Sequence, residues 1–383
     1  MIRKSILLKT FSVFFGIFFL QFILFFPLNF LNNLQLKITY FIFGNFTEFL
    51  LEYLLNKKNT RIDYSSDSSS MLVLIIIFLF NSSIFSFIIK EKTAKHLLMV
   101  IEYLCIIYIS IILIKYGVDK ILKTQFPVPE SNILFTRFGN LDKDILFWST
   151  IGTSKIYNTI IGSIEFITGI LLLFRRSQFF GLLLAIISFT QIFIINIGFD
   201  ISVKFFSFIL LLMSIFLVRK KGWKLILKII NLPKKNSFEK DSFLPYKVFL
   251  KILIIGVTFI KIGMPYLDEY FHTENKNNSM NLVGAYQITS SKSPYQYLFF
   301  HKDQYLIFME KYSEKMSVFH YDISVDNQII LQDYQNNISK HFFMKNKKDS
   351  SIKFYFKNQI ISAKAIDSKK MNALQDRFHI LID

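Results

Sequence analysis

KYGVDKILKTQFPVP at residues 115–129, KIYNTIIGSIEFITGILLLFRR at 155–176 and GFDISVK at 198–204 decide how this chain folds. Between the second and third quotations the sequence is apolar again, so two hydrophobic runs are joined only by Arg175-Arg176 and a short polar step. A helix rises 1.5 Å per residue, and about 20 apolar residues cross a hydrocarbon layer of roughly 30 Å. Residues 151–174 and 178–198 therefore read as a pair of membrane spans with a basic turn between them.

Working outward, the whole chain carries the same signature. Its 383 residues are 52% hydrophobic, with 46 Phe and a mean hydropathy of +0.40, which fits lipid-facing helices better than two or three soluble domains. A formal charge of +18 would suit a nucleic-acid binder, but the basic residues sit in short loops between apolar runs and again in the tail. That placement reads as control of membrane topology, and the lipid bilayer, not nucleic acid, is the implied partner. With one cysteine, the chain has no intrachain disulfide or CxxC pair.

In order, apolar runs at 6–31, 71–90, 96–116, 151–174, 178–198 and 202–218, with a weaker one at 247–266, predict seven spans. Met1-Ile-Arg-Lys leads into the first, which is longer than a signal-peptide core and lacks a small-x-small cleavage site, so it reads as uncleaved. The tract NKKNTRIDYSSDSSS at 56–70 reads as a loop, with a surface helix before it near 41–55. The segment RKKGWKLILKIINLPKKNSFEKD at 219–241 is basic and partly amphipathic, like a helix at an anionic headgroup layer. Arg3 and Lys4, Lys90 to Lys95, Arg175-Arg176 and the 219–240 basic run fall on one side of the seven-span arrangement. The N-terminus is then cytoplasmic and everything after Tyr266 is on the outer face. The organisation expected is residues 1–95 as two spans with an outer loop, 96–218 as a four-helix core, 219–267 as a basic loop and last span, and 268–383 as a β-rich outer domain.

That last assignment rests on alternation. In SIKFYFK, Ile352, Phe354 and Phe356 alternate with Lys353, Tyr355 and Lys357, and comparable runs occur at 296–309, 316–323, 328–333 and 340–345. A small antiparallel sheet or barrel of its own core follows. The fold class expected is thus an all-α membrane bundle with a C-terminal β-rich domain.

Polar groups at membrane depth are costly and mark candidate sites. Glu165 lies roughly 15 Å from the Arg175 end of its helix, on a face with Asn158, Gly162 and Gly169. By depth its nearest polar neighbours are Tyr108 and Cys105 on the third span and Asn81 to Ser83 on the second, while Gly181, Ala185, Ser188 and Gln191 stripe the fifth. The bland reading is a protonated carboxyl hydrogen-bonded within the bundle; the sharper one is contact with a quinone headgroup or a proton relay. A second group, Lys115, Tyr116, Asp119 and Lys120 against Asp200 and Lys204, with Lys155 nearby, reads either as interfacial anchoring or as an outward site for an anionic or quinone-like ligand. No Walker A, GxGxxG, HExxH or GxSxG motif occurs. Of the six histidines only His96 is near a span, at its cytoplasmic end, so a bis-His haem in the bilayer does not fit, and one cysteine does not suit a cysteine-ligated Fe–S cluster.

Tyr116-Gly117-x-Asp119-Lys120, Gln125-Phe126-Pro127, Trp148, the Gly162/Glu165/Gly169 helix with its LLLFRR exit, and Asp200-x-x-x-Lys204 together resemble the DoxX-like membrane proteins of bacteria. The resemblance covers about 95–220. FDISVK stands where an FDVPVK-like form is usual. It implies a four-helix membrane core similar to the small DoxD-type subunit of thiosulfate:quinone oxidoreductase, in a bacterial inner membrane. The tail, with LQDRFHIL near its end, looks like the extra domain of larger relatives. Two functions follow as expectations: an accessory subunit of a membrane redox system contacting quinone near Glu165, or a non-catalytic envelope protein whose outer domain binds a membrane or periplasmic protein. A small-solute transporter is the third reading.

Overall fold

A computed structural model describes residues 2–26, 34–57, 61–230, 256, 282–290, 293–324, 328–346, 351–356 and 359–375. The span expected at 247–266, apart from Gly256, and the basic segment beyond residue 230 lie outside these residues. The chain divides into two compact units, Met1–Ile121 with Ile160–Asp268, and Leu122–Thr159 with Glu269–Asp383.

The first unit is helical. It contains α1 (Ile2–Phe25), α2 (Leu34–Leu55), α3 (Ser69–Ile88), α4 (Glu91–Ile121), most of α7 (Lys155–Leu173), α8 (Gln178–Gly198) and α9 (Lys204–Ile230). Among the described residues, four helices are long and apolar enough to cross a membrane, namely α3, α4, α7 and α8, and α1 holds a shorter apolar run, Lys9–Phe25. Apolar side chains lie on the outside of these helices as well as in their core. Phe80, Phe87, Ile160 and Ile187 face outward, while Ser82, Ser110, Thr168, Ser188 and Ser214 are buried. Each buried hydroxyl with a carbonyl four residues back, such as Ser110 to Ile106 at 2.8 Å and Thr168 to Ile164 at 2.7 Å, satisfies itself within its own helix.

Longer polar side chains tie helices together. The Gln21 amide of α1 donates to Ser82 Oγ at 2.9 Å, and Asn81 donates back to Gln21 Oε1 at 3.3 Å. Gln35 of α2 donates to the carbonyls of Ile23 and Leu24, and Thr39 to that of Phe25, which closes the free C-terminal carbonyls of α1. The loop before α3 is more ordered than its composition suggests. Tyr64 is buried, its hydroxyl donating to Thr47 at 2.8 Å, and Ser68 caps α3 by accepting from the Met71 amide at 3.0 Å. Burial pushes the Tyr64 phenol upward. The helix expected at 41–55 begins earlier, at Leu34, because Gln35 and Thr39 have those α1 carbonyls to satisfy.

The second unit is an eight-stranded antiparallel barrel, closed in sequence order with β1 paired to β8. Its strands are β1 (Gly284–Ile288), β2 (Tyr295–Phe300), β3 (Tyr305–Glu310), β4 (Met316–Ile323), β5 (Gln328–Gln332), β6 (Ile338–Lys345), β7 (Ser351–Phe356) and β8 (Gln359–Ile366). The single run expected at 296–309 is two strands with a turn at 301–304. The interior is filled by large rings, with Phe308 stacked on Phe356 at 4.5 Å and Phe300 edge-on to Tyr321 at 5.2 Å. Burial lifts the Tyr286 hydroxyl inside it to a pKa of about 12, with Tyr321 adding to the shift.

On β2 and β3 the alternation disappears, because the outer face is covered too. Phe299, Ile307 and Met309 point away from the barrel interior into a second cluster closed by Phe135 of α5 (Ser131–Phe135). The Phe135 ring lies 4.6 Å from Tyr297 and 5.5 Å from Phe299. His301 Nε2 meets Asn132 Oδ1 at 2.9 Å and Arg137 meets Glu314 at 2.8 Å. The rest of this connector is α6 (Lys143–Thr153). Trp148 packs 4.9 Å from Phe126, and Gly152 sits so close to Pro127 that a Cβ there would be 2.2 Å from its carbonyl oxygen.

Candidate functional site

The site forms where α4 crosses α7. Gly117 and Gly162 meet backbone to backbone: a Cβ on Gly162 would stand 2.6 Å from the Gly117 carbonyl oxygen, and one on Gly117 would stand 2.7 Å from that of Gly162. Gly169 lies against Ile114 and the Ser110 carbonyl in the same way. A spacing of seven residues puts Gly162 and Gly169 on one face of α7, and the missing side chains there and at Gly117 let the two backbones close.

Beside this contact the Lys120 ammonium donates to Glu165 Oε2 at 2.6 Å. Both are buried, Glu165 at 3% and Lys120 at 6% exposure. Each charge is therefore held by the other where water is scarce, and a pair of this kind is costly to break singly. A Lys side chain in a helix leans toward the N-terminus, so the ammonium drops below its own Cα to meet the carboxylate.

Tyr116 lies between two cations, its ring centre 5.2 Å from the Lys115 nitrogen and 5.7 Å from that of Lys120. Lys115 also bonds Asp119 at 2.6 Å along α4. The expected outer group Lys115, Tyr116, Asp119 and Lys120 is thus gathered on the last two turns of α4, and its Lys120 reaches Glu165. Asp200 and Lys204 pair at 2.7 Å across the turn into α9, with Asp200 in a left-handed conformation at φ 53.

Asp67, which the sequence reading passed over, joins this second pair. Its two carboxylate oxygens accept from the backbone amides of Lys204 and Phe205 at 2.9 and 3.0 Å, and Lys204 Nζ lies 3.7 Å away. A carboxylate at the free amides of a helix start is favourable both as a cap and against the helix dipole. The signal in the sequence was an Asp in a Ser-rich tract, which local reading cannot connect to residue 204.

The remaining candidates are placed apart from Glu165. Asn81 engages Gln21, as above, and Gln191 is exposed on α8, unlike its stripe partners Gly181, Ala185 and Ser188. Tyr108 is buried beside Phe22, their ring centres 6.4 Å apart, and its hydroxyl meets no hydrogen-bond partner among the described residues. Cys105 is buried as well. Gln21, Asp67 and the Glu102–Arg219 pair, 3.0 Å between α4 and α9, are polar links that the depth estimate had not brought together. Among the described residues no three His, Cys, Asp or Glu side chains gather as a metal-binding group.

A separate groove of about 280 Å³ lies in the barrel unit, between the connector and β3–β4, lined by Asn132, Thr136, Asp142, Met309, Glu314 and Met316 among others. Its volume is at the lower edge of the roughly 300–1,000 Å³ of small-molecule pockets. The chain matches no family model, no curated protein and no solved structure.

Proposed function

We propose that this chain is a non-catalytic envelope protein, in which a multi-pass bundle of DoxX-like type carries a β-barrel that binds a protein partner. The observation that supports the reading is the engagement of Glu165 by Lys120: the most buried carboxylate among the described residues is committed to holding α4 against α7. The barrel interior is packed with aromatic rings, so its outer surface and the groove above β3–β4 are what it offers a partner. In this reading the bundle has seven spans in a bacterial inner membrane, the N-terminus is cytoplasmic and the barrel lies on the periplasmic side.

A second reading, an accessory redox subunit contacting quinone, draws on the unpartnered Tyr108 hydroxyl in the same bundle. Native mass spectrometry of the wild type, Tyr108→Phe and a chain lacking residues 280–383, each purified in mild detergent, separates the two. A stoichiometric protein that stays with Tyr108→Phe and is lost with the barrel supports the envelope reading. A stoichiometric quinone lost in Tyr108→Phe overturns it in favour of the second.

A further inference from the structure

The outer faces of the barrel differ. On β1–β3 the outward Ala285, Phe299, Ile307 and Met309 are buried in a cluster that the connector closes through Phe135. On β6–β8 the outward Phe342, Met344, Tyr355 and Ile360 are each half exposed or more.

The registers assemble these residues into one surface. Met344 is paired with Lys353, Lys353 with Ser362, Tyr355 with Ile360 and Ser351 with Lys364. Phe342 is two residues before Met344 on β6, so it faces the same way and lies across from Tyr355. The result is an apolar row, Phe342, Tyr355 and Ile360, flanked by exposed lysines at 340, 353 and 364. The sequences ISKHFFMK, SIKFYF and QIISAKAI contain no Asp or Glu, so nothing acidic on these three strands offsets the lysines.

We propose that the β6–β8 face docks on an anionic lipid surface, with Phe342, Met344, Tyr355 and Ile360 entering the headgroup layer and Lys340, Lys353 and Lys364 contacting phosphates. All the cations here are lysines, which protein–protein interfaces disfavour at their cores while favouring Arg. Lysines around aromatic rings suit a headgroup layer, where the rings sit at the apolar boundary and the ammonium groups reach the phosphates. Closure of the barrel leaves no free strand edge among the described strands, so a partner cannot be recruited here by adding a strand. The docking goes beyond the protein-partner reading, and either can fail alone.

The test uses the full chain in nanodiscs of phosphatidylcholine, with or without phosphatidylglycerol. A Met344→Cys variant carries a bimane label, and a nitroxide-headgroup lipid is the quencher; the native Cys105 is buried. Each basic residue near an anionic surface contributes roughly fivefold, so Lys340→Gln, Lys353→Gln and Lys364→Gln together are expected to lower the docked-to-free ratio by about a hundredfold. Quenching should require phosphatidylglycerol, fade at high salt and vanish in the triple variant, while a label at the exposed Tyr312 stays unquenched. Equal quenching without phosphatidylglycerol, or quenching retained in the triple variant, overturns the proposal. So does a label that is unquenched in anionic discs and becomes shielded only when an acidic protein is added. Circular dichroism of the triple variant confirms folding, and its partner in native mass spectrometry reports separately on the protein-binding reading.

Discussion

Lys120 Nζ and Glu165 Oε2 are 2.6 Å apart between α4 and α7, 45 residues apart in sequence and both nearly closed to solvent. Removing one member takes from the other the opposite charge it meets across the α4–α7 crossing. Lys120→Met and Glu165→Leu are each expected to lower stability by about 3–5 kcal/mol, whereas the two together should recover most of that loss. Thermal unfolding of the four proteins in one detergent gives the coupling directly. A double variant no better than the worse single one would show that the pair does more than join two helices.

The glycine contact beside it makes a separate prediction. Gly162→Ala puts a methyl carbon 2.6 Å from the Gly117 carbonyl oxygen, and the backbone cannot yield without separating α4 from α7. A loss of about 1–3 kcal/mol is expected from such overpacking. Gly198→Ala is the control, since nothing lies within 4 Å of its added carbon. Equal melting temperatures for Gly162→Ala and the wild type would mean the helices do not meet as closely as described.

These two contacts show what the sequence conveys and what it withholds. The apolar runs were legible because hydrophobicity is summed over some twenty neighbours, and the β domain was legible where one face is wet, as at Ile352, Lys353, Tyr355 and Phe356. On β2 and β3 the period was hidden because Phe135 dries the outer face as well. The partner of Glu165 was hidden for a different reason. A third span ending near Tyr116 puts Glu165 beside Tyr108, but α4 continues to Ile121 and its Gly117 faces Gly162. Glu165 is thereby level with the last turns of α4, not with Tyr108. Asp67 was out of reach because capping a helix 137 residues away leaves no local pattern.

Asp67 supplies the third prediction. Its carboxylate takes the first two amides of α9, so Asp67→Ala should cost about 0.5–2 kcal/mol and Asp67→Asn much less, since an amide oxygen still accepts. Hydrogen exchange should quicken at Lys204 and Phe205 in the alanine variant, and protease should cut the 61–68 loop sooner. Equal exchange in the alanine and asparagine variants would assign the effect to lost charge instead of a lost cap.

The barrel should be sensitive to mild acid through His341. Its ring lies 5.4 Å from Phe356 and within 2.8 Å of Ser339 Oγ, and burial holds it below the usual imidazole range. An unfolded histidine titrates at roughly 6.5, so as pH falls the unfolded chain takes up the proton first. His341 thus contributes stability that is present above the unfolded value and is lost as pH falls through it toward the folded one. Near-UV circular dichroism melts at neutral pH and at pH below the imidazole range should show the barrel transition move down on acidification. His341→Phe should flatten that dependence, because the substituted ring takes no proton in either state. A slope unchanged by the substitution would place the acid-sensitive group elsewhere in the barrel.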